Sequence, residues 1–262
     1  MKTKMLSIWF LAFPLWAAPP RMTGAVVQSL SSLSQAESAE NAWIGYSIAT
    51  AKSFSSCGRC SLTSDNYNFT RNSDDDDLGP ASTVAQVFAR IRDKQVDRIR
   101  VFSGGECEIA ARGQTIYWID NVLPADSIAF LRRIADAGGH SARDMALFAI
   151  SLHAGGTDTL IDIARNNPRS EVRGKALFWL SQAAGEKAAA ALRDAVDNDP
   201  EASVKSKAVF GISQLPNDQS IPLLIDLMQH HRSREVRKKA AFWLGQKNDP
   251  RALEAIADIL KQ

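Results

Sequence analysis

The chain has almost no charge imbalance. Its 31 Lys and Arg stand against 29 Asp and Glu, a formal net charge of +2 at pH 7. That near-balance supplies no electrostatic reason to expect a nucleic acid partner. No glycine loop suited to phosphate, no nucleophile with a base beside it and no paired catalytic carboxylates occur. Neither a catalytic site nor a cofactor is therefore expected. Beyond the first residues no stretch is apolar for the roughly 20 residues that a spanning helix needs. Cysteine is scarce too. Cys57, Cys60 and Cys107 are the three in the chain, an odd number that leaves one thiol over once a pair forms.

The N-terminus reads as an export signal over residues 1–18. Lys2 and Lys4 precede an apolar run of about a dozen residues, and Ala17 and Ala18 supply small residues before Pro19-Pro20. The expected location is the periplasm or the exterior. Membrane attachment is expected only if this segment stays on as an anchor. Trp16 or Leu15 at the −3 position makes the cleavage site imperfect. Residues 19–41 read as a spacer, with a short helix over 22–33 as the one local element.

Residues 42–122 read as a small antiparallel β module. A first strand is expected over 43–48. A polar loop carrying four consecutive aspartates, 74–77, follows. Val87, Ala89 and Ile91 then alternate with Arg90 and Arg92, and Ile99 and Val101 with Arg98 and Arg100. That is a hairpin turning at Asp93-Lys94-Gln95, with a further strand over 116–119. The aspartates read as a solvated loop, since they lack the alternate spacing and glycine of a calcium loop. Asn68-Phe69-Thr70 fits a glycosylation acceptor, which matters only in a eukaryotic secretory protein. Cys57-Gly58-Arg59-Cys60 has redox spacing, but a polar acidic segment follows where a redox motif needs a helix. Zinc needs about four ligands, and no nearby His joins Cys107 to complete them. A disulfide from Cys107 to Cys57 or Cys60, tying the loop to the sheet, is the expectation.

From Leu123 the period becomes helical and no strand signal remains. Pro124 suits a first helical turn. The chain then repeats itself at roughly 30 to 32 residues. Arg143, Arg173, Lys205 and Arg237 are each followed three residues later by Ala, five by Phe and seven by Ile or Leu. Each unit holds a leading and a trailing helix, and Asn167-Pro168, Asp199-Pro200 and Asp249-Pro250 mark turns. An isolated hairpin cannot bury its apolar face, so about four and a half stacked pairs are expected over 123–262. The fold class is mainly α, an α-solenoid behind a small β-rich part. The repeated Phe and the Leu or Ile are expected to fill the space between layers. His230-His231 stands where Asp-Pro is usual, so that turn is expected to be built differently.

The units running from Asn167-Pro168 to Ala176 and from Asp199-Pro200 to Ala208 resemble HEAT-like repeats of the phycobilisome-lyase type. Their pattern is Asp-Pro-x-x-x-Val-Arg-x-x-Ala. The β part, with Arg98-Ile99-Arg100-Val101-Phe102-Ser103, Cys107 and Tyr117-Trp118-Ile119, resembles exported bacterial HEAT-repeat proteins of unknown activity. The resemblance implies a repeat scaffold of the cell envelope that binds a protein or peptide. An alternative it implies is an enzyme, either a lyase-like chromophore-attachment protein or a metal-dependent oxidoreductase. Some HEAT-like proteins are di-iron hydroxylases with His-Glu ligand pairs. This chain has four histidines and no His-Glu dipeptide, so no metal site is expected.

Trp179, Trp243, Arg173, Lys205 and Arg237 are the candidate partner-binding residues. Trp179 and Trp243 align with Ala149 and Gly211, so they either face the concave surface as anchors or pack on a leading helix. The basic ladder either meets an acidic partner or holds turn carboxylates and carbonyls. A cation near a helix N-terminus opposes the dipole, so it needs an acceptor.

Overall fold

The computed structural model describes residues 19–56, 60–63, 81–104, 108–183 and 185–261. The expected export signal, Cys57, Cys107, Asn68 and the aspartates 74–77 lie outside the described residues.

The N-terminal part is a five-stranded sheet, not a wholly antiparallel module. Strands β2 (Val26–Leu30), β3 (Ala42–Phe54), β4 (Ser82–Arg92), β5 (Gln95–Ser103) and β7 (Thr115–Ile119) lie in the order β2-β7-β3-β4-β5. The hairpin β4–β5 and its neighbour β3 are antiparallel, as expected. Its turn is the two residues Asp93 and Lys94, both at positive φ (52° and 61°), the geometry that suits the twist of a two-residue hairpin. By contrast, β7 runs parallel to both β2 and β3. Parallel partners need a long crossover. The whole β4–β5 hairpin separates β3 from β7, and helix α1 (Leu33–Ala36) lies between β2 and β3. A second, two-stranded sheet pairs β1 (Met22–Thr23) with β6 (Ile109–Ala110).

Residues 22–33 are therefore mostly strand, not helix, and 19–41 is not a mere spacer. Strand β2 shows no apolar alternation because Val26 and Val27 are exposed. What holds it is its main chain, paired along β7 from Val26↔Thr115 to Leu30↔Ile119.

Both faces of the sheet are covered. Ile44, Tyr46, Val87, Ala89, Ile99 and Val101 point to the helices. Trp43, Phe88, Phe102, Ile116 and Trp118 form a second core, closed by Leu62, Ile109 and the disulfide-bonded Cys60. Gly45 makes this close packing possible. A Cβ there would sit 2.8 Å from the Trp118 ring and 2.9 Å from that of Phe88.

The helices stack in pairs: α2 (Pro124–Ala137) with α3 (His140–Leu152), α4 (Gly156–Asn166) with α5 (Ser170–Ala183), α6 (Glu186–Asn198) with α7 (Ala202–Gln214), and α8 (Asn217–His230) with α9 (Arg234–Gly245). Helix α10 (Pro250–Leu260) opens a fifth pair. One hydrophobic core runs from Leu33 through the inner face of the sheet to Ala255 in α10. The change at 122–123 is thus a change of secondary structure inside a shared core. The sheet is the first layer of the stack.

A buried polar node fastens that layer. His153 Nδ1 lies 2.9 Å from the Ala149 carbonyl, which can only accept, so Nδ1 carries the proton. Ser127 Oγ is 3.0 Å from His153 Nε2 and 3.1 Å from the Tyr46 hydroxyl. Ser127 Oγ donates to the Tyr46 hydroxyl and lies within hydrogen-bond distance of His153 Nε2, so one hydroxyl bridges the two rings. Strand β3, helix α2 and the end of α3 meet in this one chain. Burial pushes the His153 imidazole below its ordinary value and the Tyr46 phenol well above its own.

The sign of the pH effect follows. The unfolded chain takes up a proton at His153 near pH 6.5, while the folded chain resists it. This contribution is complete above about pH 6.5 and is lost as pH falls below it. The urea midpoint should drop between about pH 7 and pH 5, above the range where carboxylates titrate. His153→Gln should flatten that drop. Ser127→Ala should cost about 1–3 kcal/mol at neutral pH, because two buried groups lose their partner. An unchanged slope in His153→Gln would show that His153 does not set the pH response.

Candidate protein-binding face

The basic ladder is used inside the molecule. Arg173 Nη1 donates to the Asn167 carbonyl at 3.0 Å. Lys205 Nζ donates to the carbonyls of Val196 (3.0 Å) and Asp197 (2.8 Å). Arg237 Nη1 donates to those of His231 (2.7 Å) and Arg232 (3.2 Å). Each cation thus sits at the carbonyl end of the leading helix before it, where the dipole favours positive charge. That offsets its unfavourable place in the first turn of its own helix. Arg173 also spans units, with Nε 2.8 Å from Asp199 Oδ2 and Nη2 3.0 Å from Oδ1. The two side chains are 8% and 4% exposed, so Arg173 is not available to a partner.

The turns share one device. Asn167 Oδ1 accepts the Arg169 amide at 3.0 Å and Asp199 Oδ1 accepts the Glu201 amide at 2.8 Å. His231 stands at the matching position, and its Nδ1 accepts the Ser233 amide at 3.0 Å. The turn at His231 is therefore built like the others, with a ring nitrogen as acceptor.

The repeated Phe positions are not uniformly core. Phe148 is buried, but Phe178 is 38% and Phe242 59% exposed. The space between layers is filled by Leu147, Leu177 and Val209, one residue earlier, and by Leu180, Ile212 and Leu244. Trp179 and Trp243 are partly buried. Trp179 lies with its ring centroid 4.8 Å from Phe148, and Trp243 lies 5.0 Å from Phe210, each on the preceding trailing helix. Phe178 and Phe242 stand edge-on to these tryptophans, at 5.0 Å in both cases. Where α5 and α9 have Trp, α7 has Gly211, which lets Leu192 come within 2.5 Å of where a Cβ would be. Two aromatic pairs thus mark the exposed face of the trailing-helix layer, on α5 and α9.

A row of serines escaped the sequence reading. Ser151, Ser181 and Ser213 each donate to the carbonyl of the Phe three residues earlier, at 2.6, 2.6 and 2.7 Å. Comparing the units three residues beyond the Phe reveals it, since only the last has Gly245 instead.

Among the described residues the surface carries shallow depressions, two of which bear on this face and on the hairpin turn. One, of about 380 Å³, lies between α8, α9 and α10, with Met228, Ala241, Ile256 and Ile259 below Arg234, Arg237 and Lys238. The other, of about 250 Å³, lies at Glu40, Asn41, Asp93 and Lys94. No cluster of three or more metal-ligating side chains occurs among the described residues. Among those residues, too, no helix is long and apolar enough to cross a membrane.

Helix pairs stacked in register through these turns make the C-terminal part an α-solenoid of HEAT-like repeats. The family model for HEAT repeats matches residues 157–237 and 189–262. Among solved structures, the chain is similar to one in the complex of CpcE and CpcF of phycocyanin lyase from Nostoc sp. PCC7120. The identity is 22% over 52% of this chain and 88% of that one, with a TM-score of 0.41. It is also similar to an engineered protein, at 18% identity over 50% of this chain and 67% of that one, with a TM-score of 0.31. No curated protein matches the chain.

The clamp between units makes a stability prediction. Arg173→Ala leaves Asp199 buried beside no counter-charge and should cost about 3–5 kcal/mol in urea unfolding. Lys205→Ala, half-buried and bonded only to carbonyls, should cost about 1 kcal/mol. Equal costs for the two would refute the special weight given to the Arg173–Asp199 pair.

Proposed function

We propose that the protein is an interaction module that binds a protein or peptide along its trailing-helix face. The observation that carries this reading is the exposure of Phe178 and Phe242, each held in one orientation by a tryptophan. An exposed aromatic ring that is already rigid loses little freedom on binding, and such rings dominate interface energetics. Scattered single apolar residues need no explanation. Two aromatic pairs at the same position of alternate units, on one layer, do.

Within the same proposal the protein acts in the cell envelope after export. The basic, apolar and small-residue order of residues 1–18 supports this. The mass of the protein recovered from its native host, and its cellular fraction, test it. Loss of the first 17 or 18 residues in an envelope fraction is expected, and a full-length cytoplasmic protein would refute it.

The binding face is tested by affinity purification from native envelope with the unaltered chain and with Phe178→Asp/Phe242→Asp. Both positions are exposed, so the double variant should keep its helical circular dichroism and its melting temperature within a few degrees. Partners retained by the unaltered chain should be lost by the variant, a drop of about tenfold or more for two aromatic anchors. Equal retention by both would exclude this face.

A further inference from the structure

The trailing-helix face carries a second regular pattern beside the aromatic pairs. In three successive trailing helices a lysine stands three residues before the repeated Phe, and a glutamine four after it. The lysines are Lys175, Lys207 and Lys239, and the glutamines are Gln182, Gln214 and Gln246. Residues three and four apart share a helix face. The trailing helices pack side by side, so the pattern makes three parallel rows across α5, α7 and α9: ammonium, ring and amide.

The charge along this face is uneven. Lys175 is met by Asp144 at 2.8 Å, and Glu171 lies near His140 and Arg143. Toward α7 and α9 the cations are in excess. Lys207 and Lys238, both exposed, form no ion pair among the described residues. Among the described residues Lys239 has one long ionic contact, 3.7 Å to Glu235. Gln214 Nε2 donates to Ser213 Oγ at 3.1 Å, which orients the amide and leaves its oxygen to accept from outside.

From this charge complementarity and spacing we infer that the occupant is an extended acidic peptide segment, laid across α5, α7 and α9. It deepens the reading of this face as a binding surface and rests on it. Carboxylates of the segment meet the lysine row, apolar side chains meet Phe178 and Phe242, and the glutamine amides bond its main chain. Packed helices lie about 8–10 Å apart and an extended chain advances about 3.3 Å per residue. One helix step therefore corresponds to about three residues of the segment.

The test uses the full chain and two fluorescein-labelled peptides, Glu-Leu-Ser and Lys-Leu-Ser, each repeated about four times, which covers the two helix steps from α5 to α9 with residues to spare. Fluorescence anisotropy should show binding of the acidic peptide and none of the basic one. Added salt should weaken it, because the lysines are exposed. Lys175→Gln/Lys207→Gln/Lys239→Gln should raise the Kd about tenfold. Lys207→Gln/Lys238→Gln, which breaks no ion pair among the described residues, should raise it about threefold with unchanged circular dichroism. No binding of the acidic peptide, equal binding of both, or an unchanged Kd in the triple variant would overturn the inference. If the peptide fails while envelope partners are still lost from Phe178→Asp/Phe242→Asp, only the acidic extended occupant falls. If that aromatic variant also keeps its partners, the binding face falls with it.

Discussion

A cation held at the carbonyl end of the preceding helix is the interaction on which the solenoid depends. Every helix leaves its last carbonyls without intrahelical partners. Here α4, α6 and α8 each end against a turn of only three residues before the trailing helix begins. Arg173, Lys205 and Arg237 reach back to fill those acceptors. The same bond fixes the angle between the two helices of a pair, because the cation is rooted in the first turn of the trailing helix. A turn acceptor completes the arrangement from the other side, and it need not be an acid. Asn167, Asp199 and His231 all accept the amide two residues on. The turn requires a lone pair at one place, and an amide oxygen, a carboxylate and a ring nitrogen all supply it.

Once register is set, side-chain size decides how far apart trailing helices lie. Trp179 fills the gap from α5 to Phe148 on α3, and Trp243 the gap from α9 to Phe210 on α7. Between α5 and α7 the matching residue is Gly211, and Leu192 presses into the space that a side chain would take. Each of these two tryptophans is itself partly buried. It supports the Phe beside it from below, and that Phe faces out. Exposure of Phe178 and Phe242 is thus a packing consequence of where the tryptophans are.

The repeat was legible because it is local. Spacing of Ala, Phe and Leu within one helix, and punctuation by Pro, are properties of short segments, and the helices lie where those segments predict. The ladder was legible as an electrostatic problem, since a cation in a first helical turn demands an acceptor, though the sequence did not say that Arg173 would be closed off from solvent. The rest depends on partners far along the chain. Strand β2 is held by main-chain pairing to β7, some 90 residues away, and leaves no side-chain pattern. The cover over the face of β5 that carries Arg98 and the buried Arg100 was not legible for the same reason. Segments 60–63 and 109–111 cover that face, and no periodicity within β5 reveals a distant cover. Phe178 and Phe242 were read as core with Phe148 because an apolar repeat at helical spacing looks the same whether the next helix covers it or not.

The two helix layers divide the charges unequally. Along the leading helices, Arg132 meets Asp162 at 2.6 Å, Arg165 meets Asp194 at 3.0 Å, and Arg193 meets Asp226, each pair joining one unit to the next. The guanidinium of Arg132 holds the Asp162 carboxyl below the usual carboxylate range, and that of Arg193 does the same for Asp226. These pairs are partly exposed, so each contributes at most about 1 kcal/mol. Their larger effect is on register, because a slip by one helical turn would set like charges together. Acids engaged in this way are not available to the other layer. On the trailing layer, Lys207 and Lys238 form no ion pair among the described residues, and Lys239 has a long contact of 3.7 Å with Glu235. The leading layer thus spends its charges on register, while the trailing layer presents lysines beside the exposed rings of Phe178 and Phe242.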